Sequence, residues 1–444
     1  MTNPARYDLR TLSALQTELH APVREYDGSE YIASVFGEVF QPALRNSSFR
    51  INLTRTASNK SSVDYIVGSD IHFLLFTYLD QELPSVKVRQ QYVGKVEVAW
   101  APYVGMNLFR TASLRYGDLQ PNTLTPLAMY VWMQFLIRQK RLTAVLKQVG
   151  HTPELTEWAD SLPAARLKVP LPWYYSAHPS KAFPYFLLKE KKDFLHQFDF
   201  RPLEELLRVR VRTDAGGWKT VPFDEKYVEL PPDFKGQLPV PELYGRACMV
   251  EDTELKTIRC EKEIKCYIDD FVFVESKAET EEGRTAVLDL DCERPCKALT
   301  FCCVSSHSLK TNNHLSFLSG ADAQPMLTYC IKYGNNDRVP ETEIAHADMD
   351  MWELLPPNFE PEGLALHLFD ISPTPLQACS GPVFTRDQKA SLCVRLLDEG
   401  SAPTARQTYK VQALLWTTHR LTFKKDERDE LLYNLSLFPD PVGT

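Results

Sequence analysis

The sequence predicts an all-β chain of two consecutive antiparallel β-sandwich halves. Three observations predict it. At 444 residues the chain exceeds the roughly 250–300 residues at which a single core usually divides. Pro222, Pro231, Pro232, Pro239 and Pro241 crowd into one stretch and read as a stiff, extended linker. On both sides of it, short runs of β-branched and aromatic residues alternate with turn-forming clusters.

Composition narrows the function classes. A hydrophobic content of 44% and an aromatic content of 11% are ample for packed cores, so the chain is not of the disordered kind. Its net charge is −8, whereas a protein that neutralises nucleic acid needs clustered Lys and Arg. No direct sequence-specific nucleic-acid binding is expected. The basic clusters Arg138–Arg141, Lys189–Lys192 and Lys424-Lys425 are short and read as solvated faces or turns. Met1 to Arg10 is polar, with no signal-peptide pattern. No apolar run reaches the roughly 18–20 residues that span a bilayer. Folding in a reducing compartment is therefore expected.

All ten cysteines lie at or after Cys248, which fits two halves of different composition. The spacings Cys260 to Cys266 and Cys292 to Cys296 lack the paired knuckles of a zinc site. Structural thiols are expected, with disulfides as the alternative after release into an oxidising medium. Cys302 and Cys303 are adjacent, so a strand would point them to opposite faces.

The elements follow in order. Residues 1–25 read as an N-terminal arm, with Leu12, Leu15 and Leu19 as a short helix or a contact with a neighbour. Tyr31 to Phe40 is a candidate first strand. Phe49 to Arg55 alternates apolar and polar, as a half-buried strand does. Ile71 to Leu79 is a near-continuous apolar strand, followed by strand signal in Val86 to Val104 and in Asn107 to Asp118. Thr125 to Val149 reads as one helix. Its apolar positions Leu127, Val131, Phe135, Leu142, Val145, Leu146 and Val149 recur at helical spacing, and Gly150 ends it. Packing on the outside of a sheet is its expected use.

The stretch from Leu167 to Arg212 then carries an apolar strand ending in Trp173, Tyr174 and Tyr175. A polar connector, Ser176 to Lys181, leads to a second strand, Ala182 to Leu188, and a third at Leu206 to Arg212. Pro170, Pro172 and Pro184 place these at strand starts, edges or bulges, because proline donates nothing to a ladder. Leu206–Thr213 and Trp218–Phe223 flank Asp214-Ala215-Gly216-Gly217 and read as a hairpin. The glycine pair is not a phosphate loop, since no G-x-x-x-x-G-K pattern or following helix accompanies it.

The second half repeats the style. Strands are expected at Tyr244–Val250, Lys265–Val274, Thr285–Leu290, Lys297–Val304, Leu315–Leu318, Met326–Tyr333, Leu364–Asp370, Ala390–Leu397 and Tyr409–Thr417. That number of strands, with turns between them, suggests a jelly roll. No sequence period links the halves.

Candidate chemistry is sparse. Tyr267-Ile268-Asp269-Asp270 matches the Y-x-D-D box in which two carboxylates hold metal ions for phosphoryl transfer. No third carboxylate motif or basic channel accompanies it, and a strand ending in a solvated acidic turn is the plainer reading. Asp348 with Asp350, and Asp289 with Asp291, place carboxylates on one side of an extended segment, where a divalent cation could sit at a subunit contact. His307 and His314 do not have metal-ligand spacing. Neither H-E-x-x-H nor G-x-S-x-G occurs. No catalytic residue, metal ligand or cofactor is assigned.

The VPLPWYYS-type strand, its polar connector, the proline-containing apolar strand and the long alternating strand resemble a known family. They are similar to the first jelly roll of double jelly-roll major capsid proteins of large icosahedral double-stranded DNA viruses, the iridovirus-like, nucleocytoplasmic group. The order Trp100, then Asn107-Leu108-Phe109, then an acidic turn and a helical excursion matches that family too. In the second half, Leu243–Leu255 resembles the opening strand of its second roll. Pro295–Phe301, Trp352–Asp370, Gln388–Leu392 and Tyr409–Phe423 resemble later strands. The loops here are shorter, cysteines stand at apolar positions, and the tail after Lys424 is charged.

The resemblance implies an all-β fold of two consecutive eight-stranded antiparallel jelly rolls, with a short helical excursion in the first. It divides the chain into an arm (1–25), a first roll (26–223, helix about 125–149), a linker (224–241), a second roll (242–423) and a charged tail (424–444). It implies a non-enzymatic structural protein of the virion, assembled inside the host cell as homotrimeric, pseudo-hexameric capsomers. Neighbouring capsomers, penton and minor capsid proteins and an internal membrane would be its partners. Trp132, Trp173, Tyr174, Tyr175, Phe183 and Trp352 are candidate interface residues, with core burial as the alternative, since aromatics serve both. A scaffold or minor capsid protein of the same fold is a second reading. A β-sandwich glycan-binding protein or hydrolase is a third, of a different class.

Overall fold

The computed structural model describes residues 48–56, 62–68, 70–135, 137, 139–177, 181–234, 238–250, 252–260, 262–319, 323–346, 363–370, 381–398, 406–425 and 433–438. The expected N-terminal arm, the strand at Tyr31–Phe40, Asp348, Asp350 and Trp352 lie outside the described residues.

The first half begins with β1 (Ser48–Asn52), β2 (Thr54–Arg55), β3 (Ser62–Ile66), β4 (Phe73–Leu83), β5 (Val86–Val88) and β6 (Val96–Trp100). A single helical turn, α1 (Val104–Asn107), leads to β7 (Phe109–Tyr116) and β8 (Leu119–Leu124). Helices α2 (Pro126–Phe135), α3 (Gln139–Gln148) and α4 (Pro153–Thr156) follow. Then come β9 (Ser161–Leu162), β10 (Ala165–Leu171), β11 (Phe194–Phe200), β12 (Leu207–Arg212), β13 (Trp218–Val221), β14 (Val228–Glu229) and β15 (Glu242–Cys248). One sheet has the order β1-β15-β4-β10 and the facing one β2-β3-β11-β7-β8. Two small sheets, β13-β12-β6 and β14-β5-β9, extend them.

The second half runs α5 (Asp252–Cys260), β16 (Glu263–Glu275), β17 (Thr280–Glu281), β18 (Thr285–Asp289), β19 (Cys292–Ser305) and α6 (Ser306–Lys310). It continues β20 (Met326–Tyr333), β21 (Asn336–Glu343), β22 (Leu364–Leu368), β23 (Val383–Phe384), β24 (Ala390–Leu396), β25 (Thr408–Lys425) and β26 (Tyr433–Phe438). Its inner sheet is β16-β25-β19-β22, with β17, β23 and β26 paired at its margins, and its outer sheet is β18-β24-β20-β21. Every pairing between the named strands is antiparallel.

The inner sheet of the second half is buried on both faces. Along β19, Ala298, Cys302 and Val304 enter the core shared with the first half, while Leu299, Phe301 and Cys303 enter the core of the second. Along β25, Leu414, Trp416, Leu421 and Phe423 face the first core, and Val411, Ala413 and Leu415 the second. A strand covered on both sides reads as a continuous apolar run, not as an alternation. That is why the sequence around Cys302-Cys303 and Leu414-Leu415-Trp416 shows no polar partner positions. The small, apolar-tolerant thiols fit between the two layers.

Several expectations are corrected. The strand expected to open the second roll, β15, lies in the first half, between β1 and β4, with Tyr244 opposite Tyr78 and Asn52. The segment after it is helical (α5), burying Leu255 and Ile258. The expected linker also belongs to the first half in part, since β14 pairs with β5. Ala182–Leu188 is not a strand. Phe183 makes one isolated bridge to Leu74, and Tyr185–Leu187 coil into a 3-10 turn behind Pro184. Tyr174–Ser176 form another such turn behind Pro172. Prolines at these points deny the ladder its donors, so the aromatic runs fold inward as turns. The single expected helix divides into α2 and α3, and Gly150 after it takes the left-handed φ of +74° expected of a helix end. Leu315–Leu318 is not a strand. Within the expected charged tail, Tyr433–Phe438 forms β26 along Arg420–Lys425.

Candidate functional site: the seam between the two halves

The Asp269-Asp270 pair lies in the middle of β16, not in a turn. It faces β8, which is the last strand of its sheet. An edge strand leaves backbone groups without a ladder partner, and burial makes that costly unless something pairs them. Pro121 removes one donor from this edge. The remaining groups are met by side chains from the second half. The Thr123 N–H donates to Asp270 Oδ1 at 2.8 Å, and the Pro121 carbonyl accepts from His419 Nε2 at 2.9 Å. Because a carbonyl only accepts, His419 carries its proton on Nε2.

Asn122 is the hub. Its Nδ2 donates to Asp270 Oδ1 at 3.0 Å and to the Asp269 carbonyl at 3.1 Å. Its Oδ1 accepts from the Tyr174 N–H at 3.1 Å. Asp270 Oδ2 pairs with Arg294 Nη1 at 2.5 Å. Asp269 Oδ1 accepts from Lys297 Nζ at 2.8 Å and from Thr418 Oγ1 at 3.1 Å. The Lys297 ammonium also lies 5.2 Å from the centre of the Trp416 ring, and the residue has no exposed surface. From the first half, Lys181 Nζ donates to the Tyr267 carbonyl.

Electrostatics follow from burial. Removal from water pushes the Asp270 carboxyl above its ordinary value, against the opposing pull of Arg294, the Thr123 N–H and Asn122. Burial, reinforced by the Arg294 charge, drives the His419 imidazole down to about 3, so it stays neutral. Asp270 commits both oxygens to fixed donors and Asp269 Oδ1 accepts from two, so Asp269 Oδ2 is the single oxygen of the pair without a hydrogen-bond partner, too few to hold two metal ions. Among the described residues no group of three or more His, Cys, Asp or Glu side chains is placed to hold a metal. The Y-x-D-D resemblance is therefore that of a structural strand.

A second clasp lies after α6. Asn312 has φ of 61°, and its Nδ2 donates to the carbonyls of Glu204 and of Leu207, the latter at 2.7 Å. His314 Nε2 donates to the Glu205 carbonyl at 3.0 Å. Phe317 meets Tyr130 edge-on at 5.5 Å. Both clasps join the first half to the second.

The candidate interface aromatics have distinct fates. Trp173, Tyr175 and Phe183 have no exposed surface within one chain, which is the core burial given above as the alternative for these aromatics. Tyr175 Oη bonds to Thr77 Oγ1 at 3.1 Å and to His196 Nε2 at 2.9 Å. Phe183 stacks on Phe194 at 4.3 Å. Tyr174 is buried too and, with half-buried Trp132, Lys181, Asp269 and Trp416, lines a cavity of about 60 Å³ at the seam. Ligand pockets run to about 300–1,000 Å³, so this one suits ordered water better than a ligand. Asp289 pairs with Lys277 at 2.7 Å, and His307 lies in α6 without His314 as a companion ligand. Asn122, Arg294, Lys297 and His419 went unmarked by sequence reasoning, since no local pattern joins residues so far apart.

No protein-family model matches the chain. A protein described as "Probable capsid protein 4" of Acanthamoeba polyphaga mimivirus is 24% identical over 162 residues, 36% of this chain and 31% of that protein. The match thus spans about a third of that relative's length. Among solved structures, the Faustovirus major capsid protein superposes with a TM-score of 0.64 at 10% identity, covering 84% of this chain and 90% of that one. The capsid protein of the PBCV-1 virus gives 0.62 at 12% identity, covering 88% and 96%. The mavirus major capsid protein gives 0.51 at 8% identity, covering 88% and 90%. By fold, the chain is a double jelly roll of the kind seen in these viral capsid proteins.

Proposed function

We propose that the chain is a structural capsid subunit that self-assembles into homotrimers, which tile an icosahedral virion shell. The observation that carries this reading is likeness to capsid proteins over nearly their whole length, 90% and 96% of the two nearest in shape quoted above. The seam supports it. Charged and polar side chains buried between the rolls fix one register between them, as buried polar groups do elsewhere. Two rolls held in a fixed relation form one stiff building block, and three such blocks supply six similar rolls for a pseudo-hexagonal outline. The first roll is assigned to Ser48–Cys248 and the second to Glu263–Phe438, with the expected boundary near residue 241 moved past β15.

In this reading the mechanism is assembly. Large apolar contacts between protomers make the trimer, and weaker polar contacts join trimers so that a shell can anneal. The role is non-enzymatic, and neighbouring capsomers, penton and minor capsid proteins and a membrane beneath the shell are its proposed partners. Imaging the purified protein by electron microscopy tests the outline. Six-lobed particles support the reading, and single elongated particles contradict it. The copy number of the chain in purified virions separates a major shell protein from a minor or scaffolding one.

A further inference from the structure

The outer sheet of the second roll turns Tyr329, Ile331, Leu392 and Val394 into its core. The opposite face carries two half-exposed thiols, Cys330 on β20 and Cys393 on β24. They are direct cross-strand partners in the antiparallel register, close enough that each thiol is part of the other's electrostatic surroundings. Opposed residues in an antiparallel pair have Cα atoms about 4.5–5.5 Å apart, inside the range of about 4.4–6.8 Å that a disulfide spans. Five other cysteines, Cys248, Cys292, Cys296, Cys302 and Cys303, are buried, and Cys260 is exposed on α5. Cys302 and Cys303, though adjacent, enter different cores.

We propose that Cys330 and Cys393 form a cross-strand disulfide when the folded protein meets a disulfide-bearing oxidant of the glutathione class. The thiolate of one cysteine attacks a sulfur of the oxidant, forming a mixed disulfide and releasing one small thiol. The second cysteine, deprotonated, attacks the mixed disulfide, closes the protein S–S bond and releases the other small thiol. Two electrons pass to the oxidant, and the two protons leave on its thiols. Burial and the neighbouring thiol push Cys330 up to about 11, with the Lys332 ammonium opposing. The thiolate is therefore scarce at neutral pH, and the bond forms slowly there and faster as pH rises. Once formed, it closes a loop that contains β21, β22 and β23 and restrains the unfolded chain. The inference does not depend on the proposed role in a capsid.

The test uses the full-length protein, folded and incubated with oxidised or reduced glutathione. The remaining thiols are alkylated under denaturing conditions, and peptides are mapped by mass. The expected result is one linked peptide pair joining Cys330 to Cys393, with neither of the two carrying a glutathione adduct or an alkyl group, and the Tm raised. Cys393→Ser is expected to leave Cys330 as a glutathione adduct, with no link and no rise in Tm. Cys330 and Cys393 both alkylated after a treatment that modifies Cys260 would overturn the proposal, as would links between chains. The mapping of the unaltered protein decides the matter even where a serine variant folds poorly.

Discussion

Asn122 and Asp270 stand 148 residues apart in sequence, yet Asn122 Nδ2 donates to Asp270 Oδ1 at 3.0 Å across the buried seam between the rolls. That oxygen also accepts the Thr123 N–H, and the other carboxylate oxygen holds Arg294. Asp270→Ala leaves a half-buried guanidinium and an edge-strand N–H without their buried acceptor, and is expected to cost about 3–5 kcal/mol. In a double-mutant cycle with Asn122→Ala, the coupling is expected at about 1–3 kcal/mol. Urea denaturation of the four proteins measures both. Additive effects would remove the seam from the account.

Acid weakens the fold. Burial holds His196 and His419 down to about 3 and His314 down to about 4. Their folded values lie below the unfolded value of about 6.5, so the unfolded chain binds more protons between those limits. Stability is thus complete above about pH 6.5 and falls as pH drops toward 4. At pH 5 the loss is about 2 kcal/mol for each histidine. Asp270, whose value is raised by burial, acts in the opposite direction and offsets part of the loss. Tm measured from pH 7.5 to 4.5 should fall, and His419→Gln should flatten the curve. A flat profile in the unaltered protein contradicts the burial of these rings.

Asn312 separates backbone strain from hydrogen bonding. Its φ of 61° is tolerated by Asn and Gly and resisted by other residues. Asn312→Gly loses only the bonds to Glu204 and Leu207, and about 1–2 kcal/mol is expected. Asn312→Ala adds the left-handed penalty of about 1 kcal/mol. Thermal denaturation should rank the unaltered protein above Gly and Gly above Ala.

Much of the strand pattern was legible because it is local. The hairpin of β12 and β13 pairs Val209 with Val221 and Arg212 with Trp218, as its alternation and glycine turn indicated. β20 and β24 also coincide closely with their apolar runs. β21 was missed because its sequence, Asn-Asp-Arg-Val-Pro-Glu-Thr-Glu, is polar except for Val339 and Pro340 and pairs only along one edge. β11, Phe194–Phe200, was missed although it is the centre of its sheet, because it follows directly on Lys189–Lys192, a basic run that reads as a solvated face or turn. The placement of β15 depends on partners more than 150 residues away, such as Tyr78, and periodicity carries no such information. The Asp269-Asp270 pair was visible, but its meaning lay in Asn122, Arg294, Lys297 and Thr418, which only the fold brings together.

Burial inside one chain predicts which aromatics matter for folding. Trp173 has no exposed surface, so Trp173→Ala is expected to cost about 3–5 kcal/mol of stability. Trp132 is half-buried at the seam cavity, and Trp132→Ala should cost clearly less. Soluble yield and urea midpoints compare them. Equal losses would contradict the separation of core from margin.

The mass of the purified native protein, by light scattering after size exclusion, tests the capsid reading most directly. The account predicts three times the 50.8 kDa chain, persisting on dilution to micromolar concentration. A clean monomer at that concentration would contradict it.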